Sequence, residues 1–408
     1  MPARYCYHVA FMKARRTLAT LFLIVFTDLV GFGIVIPLLP LYADHYRPAP
    51  WVFGLLMASY SAMQFIFAPV LGRLSDRVGR RPVLLFSLAG SVAGYALFAL
   101  ANSIALLFVS RLFAGICGAN IATAQAVIAD TTPPEGRARG MGLIGAAFGL
   151  GFIAGPALAG LLLHFGAAAP GWGAATFSAV ALSMAFLFLP ETRTSAGEPA
   201  AVRFASPLAR LARGWSDRKL APLLLIGFLV VTGFAGFEVT FAQFLHGRFA
   251  LSHDRVSFMF VYVGVLAAII QGGLLGRLSR RFGEARLVVA GLLSIALGLG
   301  VLAGTHRLST LLAILVVVSF GTGVVMPSLS SLVSRGAGHD EQGAALGAFQ
   351  SMGSLARVLG PFAAELALGR WGVGAPPAAA AVLAFAAAGG AITVFFRRSR
   401  SGQESPDS

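Results

Sequence analysis

The sequence predicts an all-α membrane protein with twelve transmembrane helices in two six-helix bundles. Three observations predict it: the length and number of the apolar stretches, the placement of the charges, and an internal repeat. Of the 408 residues 57% are hydrophobic and 12% charged, about half the charge a soluble domain carries. A water-soluble surface could not be built from that composition, whereas lipid accepts apolar faces without cost.

The apolar segments fall at 17–41, 52–71, 83–101, 104–128, 140–163, 172–189, 220–246, 256–275, 287–304, 308–333, 343–368 and 375–396. A span needs about 20 residues at 1.5 Å rise each, and Thr17–Leu41 holds one acid, Asp28, and no base. All are too long for membrane strands, so helices must satisfy the backbone. The predicted order is a tail at 1–16, a bundle at 17–189, a polar linker at 190–219 with Pro190, Pro199 and Pro207, a second bundle at 220–396 and a tail at 397–408. The run Met12-Lys13-Ala14-Arg15-Arg16 has the form of a start, which would make residues 1–11 an upstream extension. The first stretch is too long for a cleaved signal. Cys6 lies in the tail and Cys117 in a span, so no disulfide is expected between them.

The net charge of +15 invites a nucleic-acid reading, but the bases do not gather on one face. Of 31 Lys and Arg, 24 fall on the set of loops that includes both termini. Five (Arg47, Arg248, Arg255, Arg307, Arg370) fall on the other set, and Arg111 and Arg357 lie within spans. Basic loops stay in the cytoplasm, so both termini are expected there, in a multi-pass protein of the bacterial inner (plasma) membrane.

The repeat supports two halves. Gly72-Arg73-Leu74-Ser75 returns as Gly276-Arg277-Leu278-Ser279 and Gly79 as Gly283, at an offset of 204; Gly155-Pro156 returns as Gly360-Pro361 at 205. Two six-helix repeats with a site between them are a transporter architecture.

The loop Gly72-Arg73-Leu74-Ser75-Asp76-Arg77-Val78-Gly79-Arg80-Arg81-Pro82 resembles the signature G-x-L-x-D-R-x-G-R-R-P of the major facilitator superfamily. Its two glycines suit a tight turn, Pro82 suits the first turn of the next helix, and Asp76 can receive a helix N-terminus or an Arg. Gly72, Asp76, Arg77, Gly79, Arg80 and Arg81 are therefore the expected gating loop. Within the superfamily the chain is similar to the tetracycline-efflux-like proton-coupled drug exporters. The likeness is carried by Asp28-Leu29-Val30-Gly31-Phe32-Gly33, Pro37-Leu38-Leu39-Pro40, Met63-Gln64-Phe65, Arg111-Leu112-Phe113-Ala114-Gly115, and Arg357 with Gly360-Pro361. Gly149, Gly151, Gly155, Pro156 and Gly160 resemble that group's antiporter motif in helix 5. Two features depart from the group: its membrane acids in helices 3 and 9 fall here at Gly94 and near Ser294-Ile295. Tetracycline itself is therefore not the expected cargo. In the second-half loop Arg280 stands at the place of Asp76 and Glu284 at that of Arg80, so the two gates are not expected to be equivalent.

A charge in mid-bilayer needs a partner or a water-filled cavity. Asp28 lies roughly 17 Å and Arg111 roughly 10 Å along their helices from the ends. The functional reading has Asp28 exchanging a proton, tuned by Arg111; the structural reading is a fixed ion pair, or a partner for a helix broken near Gly31 and Gly33. Glu238 is the competing acid, with Gln243 beyond it, unless it is a hydrated acid at the outer mouth. Arg357 either contacts substrate or binds its own helix backbone. Gln64, Asn120 and Gln125 line the cavity or bond between helices. The glycines of helices 5 and 11 let backbones approach, and a functional reading makes them a pliable interface between the halves.

No metal spacing, nucleophile triad or nucleotide loop is present, so the expectation is a non-enzyme with no cofactor. The proton gradient would supply the energy and would drive antiport of an amphiphilic small molecule or drug. The partners are then substrate, protons and the bilayer, with no nucleic acid, and the chain is expected to act as a monomer. A transporter of a polar metabolite such as a sugar or organic acid is the alternative, and a non-transporting receptor or partner subunit the third.

Overall fold

The computed structural model describes residues 2–35, 38–39, 46–118, 121–131, 147, 150–151, 154–192, 215, 217, 219–337 and 342–401, with no strand among them. The helices are α1 (Pro2–Val35), α2 (Pro50–Val78), α3 (Arg80–Ala99), α4 (Ile104–Cys117), α5 (Ile121–Thr131), α6 (Ala154–Leu163) and α7 (Ala169–Phe188). They continue as α8 (Ala221–Phe249), α9 (His253–Ile269), α10 (Leu275–Phe282), α11 (Glu284–Gly304), α12 (Leu308–Gly336), α13 (Gln342–Trp371) and α14 (Ala375–Ser401). Among the described residues nine helical stretches are long and apolar enough to cross a membrane, and α4 and α6 are shorter apolar helices. Phe86, Phe258, Leu297, Val382 and Phe385 are each more than 60% exposed, an outer surface suited to acyl chains rather than water.

Several sequence expectations are corrected in detail. Helix α1 begins well before residue 17 and runs unbroken past Gly31 and Gly33 to Val35, so no broken helix is there for Asp28 to serve. The fourth segment is described as α4 and α5, and residues 119 and 120 between them lie outside the described residues. The eighth runs on to Phe282 through a π-turn at Ile270–Leu274. Gly72 is helical, and a side chain there would meet nothing within 4 Å. The turn before α3 is made by Gly79 alone, at φ 115°, a conformation open to Gly and strained for other residues.

The chain divides into two compact units, Met1–Tyr46 with Ala62–Phe204, and Arg47–Ser61 with Ala205–Ser408. In the first, Leu21, Ile24 and Leu29 of α1 pack with Leu84 and Leu88 of α3, Val127 and Ile128 of α5, and Ala181 and Ala185 of α7. In the second, Phe241 and Phe244 of α8, Leu292 and Leu299 of α11, Leu315 and Leu329 of α12, Ala356 of α13 and Ala384 of α14 share one core.

Glycines set the closest crossings. A β-carbon at Gly155 would stand 2.5 Å from Gly33 Cα, and one at Gly151 would stand 2.8 Å from Leu29 Cβ. In the second unit a β-carbon at Gly360 would stand 2.3 Å from the Thr232 carbonyl oxygen, and one at Gly236 would stand 2.7 Å from the Gly360 oxygen. Both contacts are inside a unit, α6 on α1 and α13 on α8. The backbone approach expected of these glycines is seen here as packing within a unit. Pro156, Gly160 and Pro361 are buried in the same helices, and Gly149 lies outside the described residues.

Candidate functional site

At the start of α3 the signature loop is tied by charge. Arg80 forms an ion pair with Asp76 one turn back in α2, donates from Nε to Asp130 on α5 at 3.0 Å and from a terminal nitrogen to Ser75 Oγ at 2.8 Å. Of the two partners open to Asp76 in the sequence it takes the Arg, and the N-terminus of α3 is received by Glu191. Its two carboxylate oxygens accept from the backbone N–H groups of Arg80 and Arg81 at 3.0 and 3.1 Å. Negative charge there meets the unpaired amides and the positive end of the helix dipole. Arg81 donates to the Phe186 carbonyl and stacks on the Phe186 ring, 5.8 Å from its centroid. Arg77 is exposed.

The second-half loop is built with the signs exchanged. Gly283, at φ 78°, makes the turn. Glu284 opens α11, accepts from Ser331 Oγ at 2.8 Å and pairs with Arg335 near the end of α12. Arg280 is exposed.

Inside the first unit, Asp28 accepts a hydrogen bond from Ser178 Oγ of α7 at 3.2 Å and lies in electrostatic range of Cys117. One turn on, the Phe32 ring faces the guanidinium of Arg111 at 6.0 Å, and Arg111 is only 3% exposed. Asp28 on α1 thus meets a hydroxyl from α7, and Arg111 on α4 packs on a ring one turn along α1 from it. Gln64 donates to the Gly118 carbonyl at 3.0 Å, satisfying the backbone where α4 ends. Its observed task is an interhelical hydrogen bond. Asn120 and the side chain of Gln125 lie outside the described residues.

The two positions where tetracycline exporters carry membrane acids are closely packed here. A β-carbon at Gly94 would stand 3.0 Å from Ala114 Cβ, and at Gly90 2.0 Å from Cys117 Sγ, so α3 lies directly on α4. Ile295 is buried against Gly321 of α12. Gly94 and Ile295 have no room for a solvated carboxylate, whereas Ser294 is partly exposed, its hydroxyl bonded to the Ala290 carbonyl at 2.8 Å.

In the second unit Glu238 on α8 attracts Arg357 on α13, which is also in range of Tyr60 on α2. Glu238 stands eleven residues before the end of α8 at Phe249, roughly 17 Å along the helix. Arg357 turns back along its own helix, so that a β-carbon at Gly353 would stand 3.7 Å from one of its terminal nitrogens. Gln243 lies within reach of the Glu365 carboxyl on α13.

Sequence reading missed Asp130, Glu191, Ser178 and Glu365. Glu365 had a signal, since it is an acid inside the apolar stretch 343–368. Among the described residues no group of three or more His, Cys, Asp or Glu side chains could hold a metal ion.

Comparison with known proteins agrees with this architecture. The family model described as Major Facilitator Superfamily matches residues 21–361 and 223–407. The chain is 36% identical over 355 residues to the tetracycline resistance protein, class C, of Escherichia coli, covering 86% of this chain and 89% of that one. The crystal structure of the human organic anion transporter MFSD10 (TETRAN) superposes with a TM-score of 0.73 at 31% identity, covering 93% of this chain and 99% of that one. A bacterial homologue of the human lysosomal transporter Spinster, inward-facing and unoccupied, shares the fold, with a TM-score of 0.77 at 16% identity. The chain belongs to the major facilitator superfamily. It is a multi-pass membrane transporter and not an enzyme.

Proposed function

We propose that this chain exports an amphiphilic small molecule in exchange for protons across a bacterial plasma membrane, with both termini in the cytoplasm. The tetracycline resistance relatives support drug export as the class of activity. The observation that carries proton coupling is Asp28, held by Ser178 one turn from Phe32, on which Arg111 packs. A carboxyl set in apolar helices beside a fixed base is suited to bind and release one proton as its surroundings alternate.

The test is flux in proteoliposomes under an imposed pH gradient, with a panel of amphiphilic cations, neutral drugs and organic acids, for wild type beside Asp28→Asn. The variant is expected to lose gradient-driven accumulation and to keep downhill exchange. Full gradient-driven transport by Asp28→Asn would remove Asp28 from the coupling role and leave Glu238 as the acid to test.

A second reading has a specific observation behind it. Two arginines, Arg111 and Arg357, lie within apolar helices, and a relative covering most of the chain is described as an organic anion transporter. An organic acid cargo fits those charges, and its members in the panel separate the two readings.

A further inference from the structure

Glu365 and Gln243 form a buried pair that is short of one proton. Glu365 lies six residues before Trp371 at the end of α13, and Gln243 lies six before Phe249 at the end of α8. Glu365 is only 2% exposed. The Gln243 side chain lies within reach of the carboxyl, and neither its nitrogen nor Glu365 Oε2 is among the orphaned buried atoms. Oε1 of Glu365 and Oε1 of Gln243 remain, both buried and both without a hydrogen-bond partner among the described residues. Two acceptors cannot satisfy each other, and a buried acceptor left unmade costs about 1–3 kcal/mol. A single proton changes the count, because a carboxylic acid is a donor as well as an acceptor.

We infer that Glu365 is a proton-binding site of the second unit, closed onto Gln243 as a carboxylic acid–amide ring of two hydrogen bonds. In the ring Gln243 Nε2–H donates to Glu365 Oε2, and the proton on Glu365 Oε1 donates to Gln243 Oε1. No acceptor of either side chain is then orphaned. On release the proton passes from Oε1 to water. The carboxylate keeps the amide bond, and Oε1 of each residue is again unpaired, which favours an opening that admits water.

The surroundings isolate the pair. Gly54 of α2, in the segment that groups with this unit, lies over the Glu365 side chain, and a β-carbon there would stand 3.2 Å from Glu365 Cβ. The titratable groups on the elements packed against α13 are Glu238, His246 and Arg248 on α8, Tyr60 on the part of α2 that groups with this unit, Arg335 on α12 and Arg397, Arg398 and Arg400 at the far end of α14. Arg357 and Arg370 lie on α13 itself. Glu238 is engaged with Arg357, which stands eight residues, roughly 12 Å, along the helix from Glu365. Arg335 is engaged with Glu284. His246 and Arg370 are exposed, and Arg248 donates to the Ala303 carbonyl; the group placed against the Glu365 carboxyl is the Gln243 amide, which suits a proton rather than a permanent ion pair.

The inference stands apart from drug export, because proton occupancy can be read without transport. The test uses the full chain in lipid nanodiscs and dicyclohexylcarbodiimide, whose N=C=N group adds the O–H of a protonated membrane carboxyl. Mass spectrometry is expected to find the adduct on the peptide bearing Glu365, with yield falling as pH rises. Failure of Glu365 to react at every pH at which Asp28 or Glu238 reacts would overturn the assignment. Infrared difference spectra between acid and alkaline pH are expected to lose a carboxylic C=O band in Glu365→Gln. In Gln243→Leu that band is expected to move to higher wavenumber, because the carbonyl no longer accepts from the amide. A difference spectrum unchanged in Glu365→Gln removes the proton site, and a band unmoved in Gln243→Leu removes the ring. The labelling of wild type needs no variant to fold.

Discussion

Glu284 at the start of α11 pairs with Arg335 near the end of α12, the reverse in sign of Arg80 at the start of α3 with Asp130 near the end of α5. The two pairs are separated by the repeat itself, 204 residues between Arg80 and Glu284 and 205 between Asp130 and Arg335. The same position in each unit is a clasp, positive on one strand of the repeat and negative on the other. The two clasps should differ in strength. Arg335 is 63% exposed and makes one ion pair, whereas Arg80 is 13% exposed and serves Asp76, Asp130 and Ser75 together.

Arg335→Gln is therefore expected to cost no more than about 1 kcal/mol, the range of exposed pairs. Arg80→Gln should cost more, because it leaves two carboxylates facing each other. Thermal unfolding in detergent of both variants checks the order, and equal losses would contradict it.

Glu191→Ala removes the acceptor of two backbone amides at the start of α3. Loss of a helix cap costs about 0.5–2 kcal/mol, and a drop in unfolding temperature of that scale is expected. Glu191→Gln should recover part of it, since an amide oxygen still accepts. A drop of equal size in both would point to the charge and not to the cap.

Gly79→Ala and Gly72→Ala separate the two glycines of the signature loop. At Gly79 the new methyl would force a strained φ and would stand 2.5 Å from Glu191 Oε2, whereas at Gly72 it meets open space. Gly79→Ala should lower expression and stability, and Gly72→Ala should be neutral or slightly stabilising, as Gly to Ala in a helix is.

Gly94→Asp tests whether the lost acid of the tetracycline exporters can be put back. Its β-carbon would stand 3.0 Å from Ala114 Cβ and 3.2 Å from Ala114 N, so the variant should be destabilised before any proton route is formed. Ala114→Gly in the same chain should restore part of the stability. Restoration of tetracycline export by Gly94→Asp alone would show that α3 and α4 part more readily than their packing implies.

Much of the fold was legible because its determinants are local. Span length, loop charge and the Gly72–Pro82 signature are read within one window. The loop signature names Asp76 and Arg80, which lie one turn apart. It cannot name Asp130 or Glu191, which arrive from 50 and 111 residues away in sequence from Arg80. Asp28 with Arg111 was legible because charges within apolar stretches are few. Glu365 was equally visible on that rule but lay near a predicted helix end, where an acid reads as hydrated. Depth along a single helix does not say that Gln243 and Gly54 close over it. The glycine motif of helix 5 implies close backbone approach, but a list of glycines does not say what lies opposite. Gly33 and Leu29 answer that question.

The α6–α1 and α13–α8 crossings bear on history. Gly155 meets Gly33, and Gly360 meets Gly236, at separations of 205 and 203 residues in the chain. Bare backbone against bare backbone offers no gradual path: either partner's side chain would have to vanish at the same time as the other's. An ancestral six-helix gene that already had the crossing would hand it to both copies on duplication. The clasp polarity, which a pair of exposed side chains can exchange, is the trait left free to diverge afterwards.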